Sequence, residues 1–211
     1  MIDNNIYETV RKYAEMLISK PYYNVYRILI REDRHIWSTK DNADFHRLLP
    51  EDIFCAAESD QEKDPLLEFF ADEEFFDIGA VILSVTPYCA RIGRSRKVLT
   101  ASLDDMAQII GWQARQAENS AASIKQALKD AAACFVGEAS VVTGRNLYEA
   151  AVALDVLEKS AEVAVRAEAL GGAEPLAEKE ARYMRTHYME KYSKAEQAFR
   201  SGGRTDKCVR R

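Results

Sequence analysis

The chain has 211 residues, of which 47% are hydrophobic and 30% charged, with a net charge of -5 at pH 7. That length and balance fit one globular domain over residues 1–200, exclude a fibrous or disordered chain, and argue against a general nucleic-acid binder, which carries a basic face. Met1-Ile2-Asp3-Asn4-Asn5 has neither the basic start nor the apolar core of a signal peptide, and no apolar run reaches bilayer length, so a cytoplasmic protein without membrane contact is expected.

Ile6, Val10, Tyr13, Leu17 and Ile18 recur at helical spacing, and Pro21 closes this first amphipathic helix. From Tyr22 to Trp37, branched and aromatic residues flank the polar turn Arg31-Glu32-Asp33-Arg34 and predict a β-hairpin. Leu48 to Cys55 reads as a connector entering a strand, and Ala57 to Lys63 as an acidic loop. Asp64-Pro65 begins a helix, because the aspartate can accept first-turn amides and proline is tolerated at the first helical position. Asp72, Glu73, Glu74 and Asp77 are read as a solvated acidic face.

Ala80 to Val85 is a buried strand ended by Thr86-Pro87, and Arg91, Arg94, Arg96 and Lys97 form a basic loop, either solvated or an anion-binding rim. Leu103 to Ala117 and Ile124 to Leu128 predict helices, with Asn119-Ser120 as a capped break. Ala131 to Val142 is the second central strand, placing Glu138 between apolar neighbours. Leu147, Ala150, Leu154, Leu157, Ala161 and Val165 then mark a long helix, stopped at Gly171-Gly172. A last helix spans Pro175 to Phe199, and residues 201–211 form a basic tail, expected to be mobile.

Familiar catalytic signatures are absent: there is no dinucleotide or phosphate-cradling glycine loop, and no nucleophile elbow. His35, His46 and His187 are far apart in sequence and read as structural or solvent-facing. Cys55, Cys89, Cys134 and Cys208 are scattered and read as buried reduced thiols rather than disulfides or a zinc knot.

The order Ala80-Val81-Ile82-Leu83-Ser84-Val85-Thr86-Pro87-Tyr88, then Val141-Val142-Thr143-Gly144, Asn146-Leu147-Tyr148-Glu149-Ala150 and a long helix with Leu157-Glu158 resembles the class II aldolase/adducin family, in particular its fuculose- and ribulose-phosphate aldolases and epimerases. The likeness is clearest from Ile78 to Leu176; Ile30-Arg31, Trp37-Ser38-Thr39 and Leu49-Pro50-Glu51-Asp52 extend it loosely towards the amino terminus. It implies a three-layer α/β/α sandwich around a mainly antiparallel sheet, assembled as a homotetramer.

The family's active members hold a divalent ion with a His-x-His pair and a later His-Gly, and the ion stabilises an enediolate. At the matching positions this chain has Leu83, Val85 and Glu138-Ala139, so no cofactor is expected. The resemblance places the catalytic acid/base near Asp64, for which helix capping is another account, and the serines before it at Glu62-Lys63. The family's phosphate-binding hairpin residues fall near Tyr26-Arg27 and Leu29. A catalytic tyrosine corresponds to Tyr188 or Tyr192, and Thr39, Arg91 and Arg94 are candidates for substrate binding. Two readings follow: a protein without metal chemistry that binds a small anionic metabolite or a paralogous subunit, or an enzyme rebuilt around Glu138, whose apolar neighbours would raise its pKa. A purely structural subunit is the third.

Overall fold

The computed structural model describes residues 4–32, 34–41, 43–57 and 64–200, with the backbone alone at 4 and 192–200. Residues 58–63 of the acidic loop, Cys208 and the basic tail 201–211 lie outside the described residues.

Helix α1 (Asn4–Ile18) turns Ile6, Val10, Ala14 and Leu17 inward and is followed by the hairpin β1 (Asn24–Glu32) and β2 (His35–Thr39). Strand β3 (Ile53–Cys55) precedes α2 (Pro65–Ala71), whose first amides, Leu66 N and Leu67 N, are capped by Asp64 as the sequence predicts. Then come β4 (Ala80–Val85), α3 (Pro87–Ser95), β5 (Leu99–Thr100), α4 (Asp104–Ile109) and β6 (Gln113–Ala117). Helix α5 (Ala121–Leu128) is capped by Ser120, and β7 (Ala133–Val136) and β8 (Ala139–Gly144) lead into α6 (Leu147–Glu168), capped by Asn146. The last helix is α7 (Glu178–Arg200).

The strands form one eight-stranded sheet in the order β3-β2-β1-β4-β8-β7-β6-β5. Every neighbouring pair is antiparallel except β6 with β7. The two apolar strands therefore do sit at the centre, with Ile82 opposite Val142 and Leu83 opposite Val141. Because side chains alternate across a strand, Ile82 and Val142 join one core while Val81 and Val141 join another. Helices α1, α3, α4, α6 and α7 cover the first face, and α2 and α5 the second, giving the three layers expected. No helix among the described residues is long and apolar enough to cross a membrane.

Four readings need correction. Gln113 to Ala117 is strand β6, since Gly111 (φ +121°) ends the helix after Ile109, and pairing with Cys134 to Val136 overrides the helical preference of alanine, glutamine and arginine. The basic run begins inside helix α3, which Pro87 starts and Arg96 (φ +51°) ends. Ala131 to Val142 is a hairpin, not one strand: Gly137 (φ +60°) and Glu138 form a two-residue turn between Val136 and Ala139. Cys55 is exposed, while Cys89 and Cys134 are buried free thiols.

The Thr86 side chain does not cap helix α3, and the cap comes from another helix. Glu158 of α6, itself buried, accepts from Tyr88 N and Cys89 N at 2.9 Å each and from Thr86 Oγ1 at 2.6 Å. A carboxylate at a helix amino terminus is favoured by the free amides and the helix dipole together. Glu158→Ala strands those donors in the core and is expected to cost about 3 kcal/mol, since a buried donor left unsatisfied costs about 1–3 kcal/mol and more than one is stranded. A guanidinium unfolding curve measures this, and a loss below about 1 kcal/mol, typical of one ordinary hydrogen bond, would contradict the role.

Candidate functional site

At one end of the sheet lies an open cleft of about 420 Å³. Its floor is aliphatic: Leu83 and Val85 from the end of β4, Val136 from β7 and Ala139 from β8. Tyr26, Asp41 and Glu138 line the remainder. The positions matched to the family's metal ligands, Leu83, Val85 and Glu138, thus converge with the adjoining Ala139 on one cavity from distant parts of the chain.

Beside the cleft, a bulge re-aims β1. Val25 pairs with Ser84 and Arg27 with Leu83, leaving Tyr26 as an extra residue. Two residues apart on a regular strand would share a face, yet Val25 enters the first core while Arg27 reaches Asp64 at the head of α2 on the second. The Arg27 guanidinium is buried. Its Nε donates to Ser38 Oγ at 2.8 Å, and its Nη1 bonds Asp64 Oδ2 and lies 3.2 Å from Asp41 Oδ1. Asp64 uses its other oxygen to cap α2 through Leu66 N at 2.9 Å and Leu67 N at 3.2 Å. This carboxylate is therefore committed on both oxygens.

Thr39 is also brought to this region, but its buried hydroxyl accepts from Ile28 N at 3.0 Å and closes the hairpin. Glu138 stands at the hairpin turn rather than within a strand, with its side chain 53% exposed. The expected upward pKa shift is reversed: hydrogen bonding from Arg94 holds the carboxyl below the usual carboxylate range. Arg94 reaches it twice, Nε to Oε1 at 2.8 Å and Nη2 to Oε2 at 3.0 Å. Arg91 is exposed, and its electrostatic influence falls on Glu168 at the end of α6, which also binds Lys97. The Tyr192 side chain and residues Glu62-Lys63 lie outside the described residues; Tyr188 is half-buried on α7.

Arg27, Ser38 and Asp41 complete the constellation, and composition could not single them out. The available signal was an arginine directly before the apolar run Ile28-Leu29-Ile30 of a hairpin strand, which needs a carboxylate partner if buried.

The donor set does not fit the divalent ion that the resemblance implies. Leu83 and Val85 have no lone pair to offer, and the Glu138 carboxylate is engaged by Arg94. Among the described residues no three or more His, Cys, Asp or Glu side chains are grouped to hold a metal, and His35, His46 and His187 are all exposed and apart.

No family model and no curated protein matches this sequence. Solved structures do match. An L-fuculose 1-phosphate aldolase superimposes with a TM-score of 0.78 at 18% identity, over 90% of this chain and 98% of its own. The L-fuculose-1-phosphate aldolase from Thermus thermophilus gives 0.68 at 17% identity, covering 83% of this chain and 100% of its own. An aldolase II superfamily protein from Pseudomonas syringae gives 0.64 at 8% identity over 96% of both chains. The chain has the class II aldolase fold.

Two outcomes test the ion pairs. In Arg94→Gln, the Glu138 carboxyl should titrate upward towards the ordinary carboxylate range in a carbon-detected NMR titration, and an unchanged value would mean the pair is not formed in solution. A depressed carboxyl adds stability above its unfolded pKa and loses it as pH falls through the folded value, so the pair's effect disappears in acid. Arg27→Gln leaves Asp64 without its cation inside the protein and should cost about 3 kcal/mol by chemical denaturation, the lower end for a broken buried pair since Asp64 keeps some solvent contact.

Proposed function

We propose that this chain is a cytoplasmic, non-catalytic or diverged counterpart of the sugar-phosphate aldolases that has lost their metal-dependent reaction, and that its cleft binds a small metabolite with a largely apolar body. The observation carrying this reading is the convergence of Leu83, Val85 and Glu138 on one cleft, where two aliphatic groups and an arginine-bound carboxylate stand at the positions matched to metal ligands. Aldol cleavage in this fold needs an electrophile to stabilise the enediolate, and these side chains supply none to hold one.

The neighbouring groups support the same reading. Asp64, matched to the acid/base position, spends its oxygens on a helix cap and on Arg27. A phosphate entering the cleft would meet Asp41 and Glu138, while Arg27 and Arg94 are both taken by carboxylates. The expected small anionic metabolite is therefore poorly served here. A second reading, a metal-independent enzyme rebuilt around Glu138, draws on that residue's place in the cleft lining. It would require Glu138 to exchange its arginine for substrate during turnover. Association with copies of itself, or with a paralogous subunit, belongs to the proposal through the fold.

The test is elemental analysis of purified, dialysed protein together with an assay of L-fuculose 1-phosphate cleavage with and without added zinc. Substoichiometric metal and no cleavage above the blank are expected. One retained equivalent of zinc or manganese, or zinc-dependent cleavage, would overturn the proposal; cleavage without metal that vanishes in Glu138→Gln would favour the second reading.

A further inference from the structure

A second cavity, about 450 Å³, lies at the opposite end of the sheet. It is bounded by the segment entering β4, by the starts of β6 and β7, by the end of α5, and by α7. It shares no lining residue with the cleft described above.

Two arginines in its wall differ from six others among the described residues. Arg11, Arg27, Arg94, Arg145, Arg166 and Arg182 each bind a carboxylate. Arg185, half-buried on α7, donates Nη1 to the carbonyls of Gln108, at 2.9 Å, and Ile109, and no carboxylate among the described residues forms an ion pair with it. Glu149 acts on it electrostatically but is bound by Arg145 at 2.7 Å. Arg115 on β6 donates Nε and Nη2, among the described residues, only to the neutral Gln113 Oε1, at 3.3 Å each. Trp112 lines the same wall, and its indole Nε1 is shielded from solvent with no hydrogen-bond partner among the described residues. Arg31 also lacks a carboxylate, but the rings of Phe70 and Phe76 and two backbone carbonyls cover it. Arg115 and Arg185 instead border open volume.

Partly desolvated guanidinium groups without a counter-ion favour an anion, and their planar fork matches carboxylate or phosphate oxygens. We infer that this cavity is a binding site for the oxyanion group of a small metabolite, a carboxylate or a phosphate ester, held between Arg115 and Arg185. The remaining charges orient such a ligand. Asp130 is 3.7 Å from Arg182, and Lys129 is exposed beside it. Glu74 and Asp77 are exposed at the margin, so the far end of the ligand carries hydroxyl or ammonium groups rather than a second negative charge. This site is independent of how the cleft is read, and either can fail without the other.

Calorimetric titration of the full chain with inorganic phosphate and, separately, with D-glycerate, at constant ionic strength, tests the inference. Saturable binding of at least one probe is expected; which one binds distinguishes phosphate from carboxylate recognition. Arg115→Gln should weaken that binding about tenfold or more, as expected for losing a charged hydrogen-bond donor, whereas Arg11→Gln on α1, which lines neither cavity, should leave it unchanged. Arg185→Gln should act like Arg115→Gln, and if it fails to fold because the carbonyls of α4 lose their donor, Arg115→Gln still decides. No saturable binding of either probe, or binding indifferent to Arg115→Gln, overturns the site.

Discussion

A carboxylate in the core, Glu158, fixes how the helical layer meets the sheet. It lies on α6, yet its three partners belong to the exit of β4 and the first turn of α3. Burying a charge this deeply is unfavourable unless its lone pairs are filled, and here two amides and a hydroxyl fill them. The consequence travels along α3. Gly93, on its last turn, packs so closely on the hairpin turn that a Cβ there would sit 2.2 Å from the Gly137 carbonyl oxygen. One step further, Arg94 grips Glu138. The edge of the cleft is therefore held from the far side of the sheet, through a helix that cannot shift without uncapping itself. The same helix α6 is tied to the turn between α1 and β1 through Asp155, which Lys20 and Tyr23 both contact.

The opposite wall follows a different logic. An aliphatic floor at Leu83 and Val85 removes polar groups from the end of β4, but a bulge in the adjacent strand brings in Arg27 directly across from Leu83. That guanidinium is tolerable because Ser38, Asp41 and Asp64 surround it, and Asp64 in turn is tolerable because α2 begins there. One aspartate thus serves helix capping and charge compensation together. Such a pair specifies geometry more than it adds stability, since desolvation consumes much of the Coulomb attraction. The exposed Arg94 and Glu138 pair is weaker still, its two side chains being well solvated, so the two walls differ in stiffness.

Much of this was legible in the residues. Uninterrupted apolar runs marked β4 and the region of β8 as central strands, and Asp64-Pro65 and the regular apolar spacing of α6 named a cap and a helix correctly. The matched positions 83, 85, 138 and 139 do share a cavity, which a sequence order alone could only imply. What was missed depended on partners far away in the chain. Gln113 to Ala117 has the composition of a helix and becomes a strand only because β7 offers a parallel edge. Val136 to Ala139 reads as continuous until Gly137 adopts a left-handed φ, turning Glu138 out into solvent and reversing its expected pKa shift. Arg27 falls at a matched phosphate-binding position, but its carboxylate partners were not legible, because they come through a bulge and from two other segments.

The distribution of guanidinium partners separates the two ends of the sheet chemically. At the cleft, Arg27 and Arg94 face carboxylates, so their positive charge is largely cancelled where a substrate would enter. At the other end, Arg185 faces carbonyls and Arg115 a carboxamide, which orient the group through dipoles without forming an ion pair. Burial lowers the Arg185 pKa, which registers that cost, although an arginine stays protonated at any physiological pH. A chain with net charge -5 has acidic side chains in excess, and yet none pairs with these two arginines among the described residues. Glu74, Asp77 and Asp130 line the same cavity without forming an ion pair with either arginine, so the unpaired arginines are a local property of the fold, and they leave the attraction for an anion at the end of the sheet farthest from the cleft.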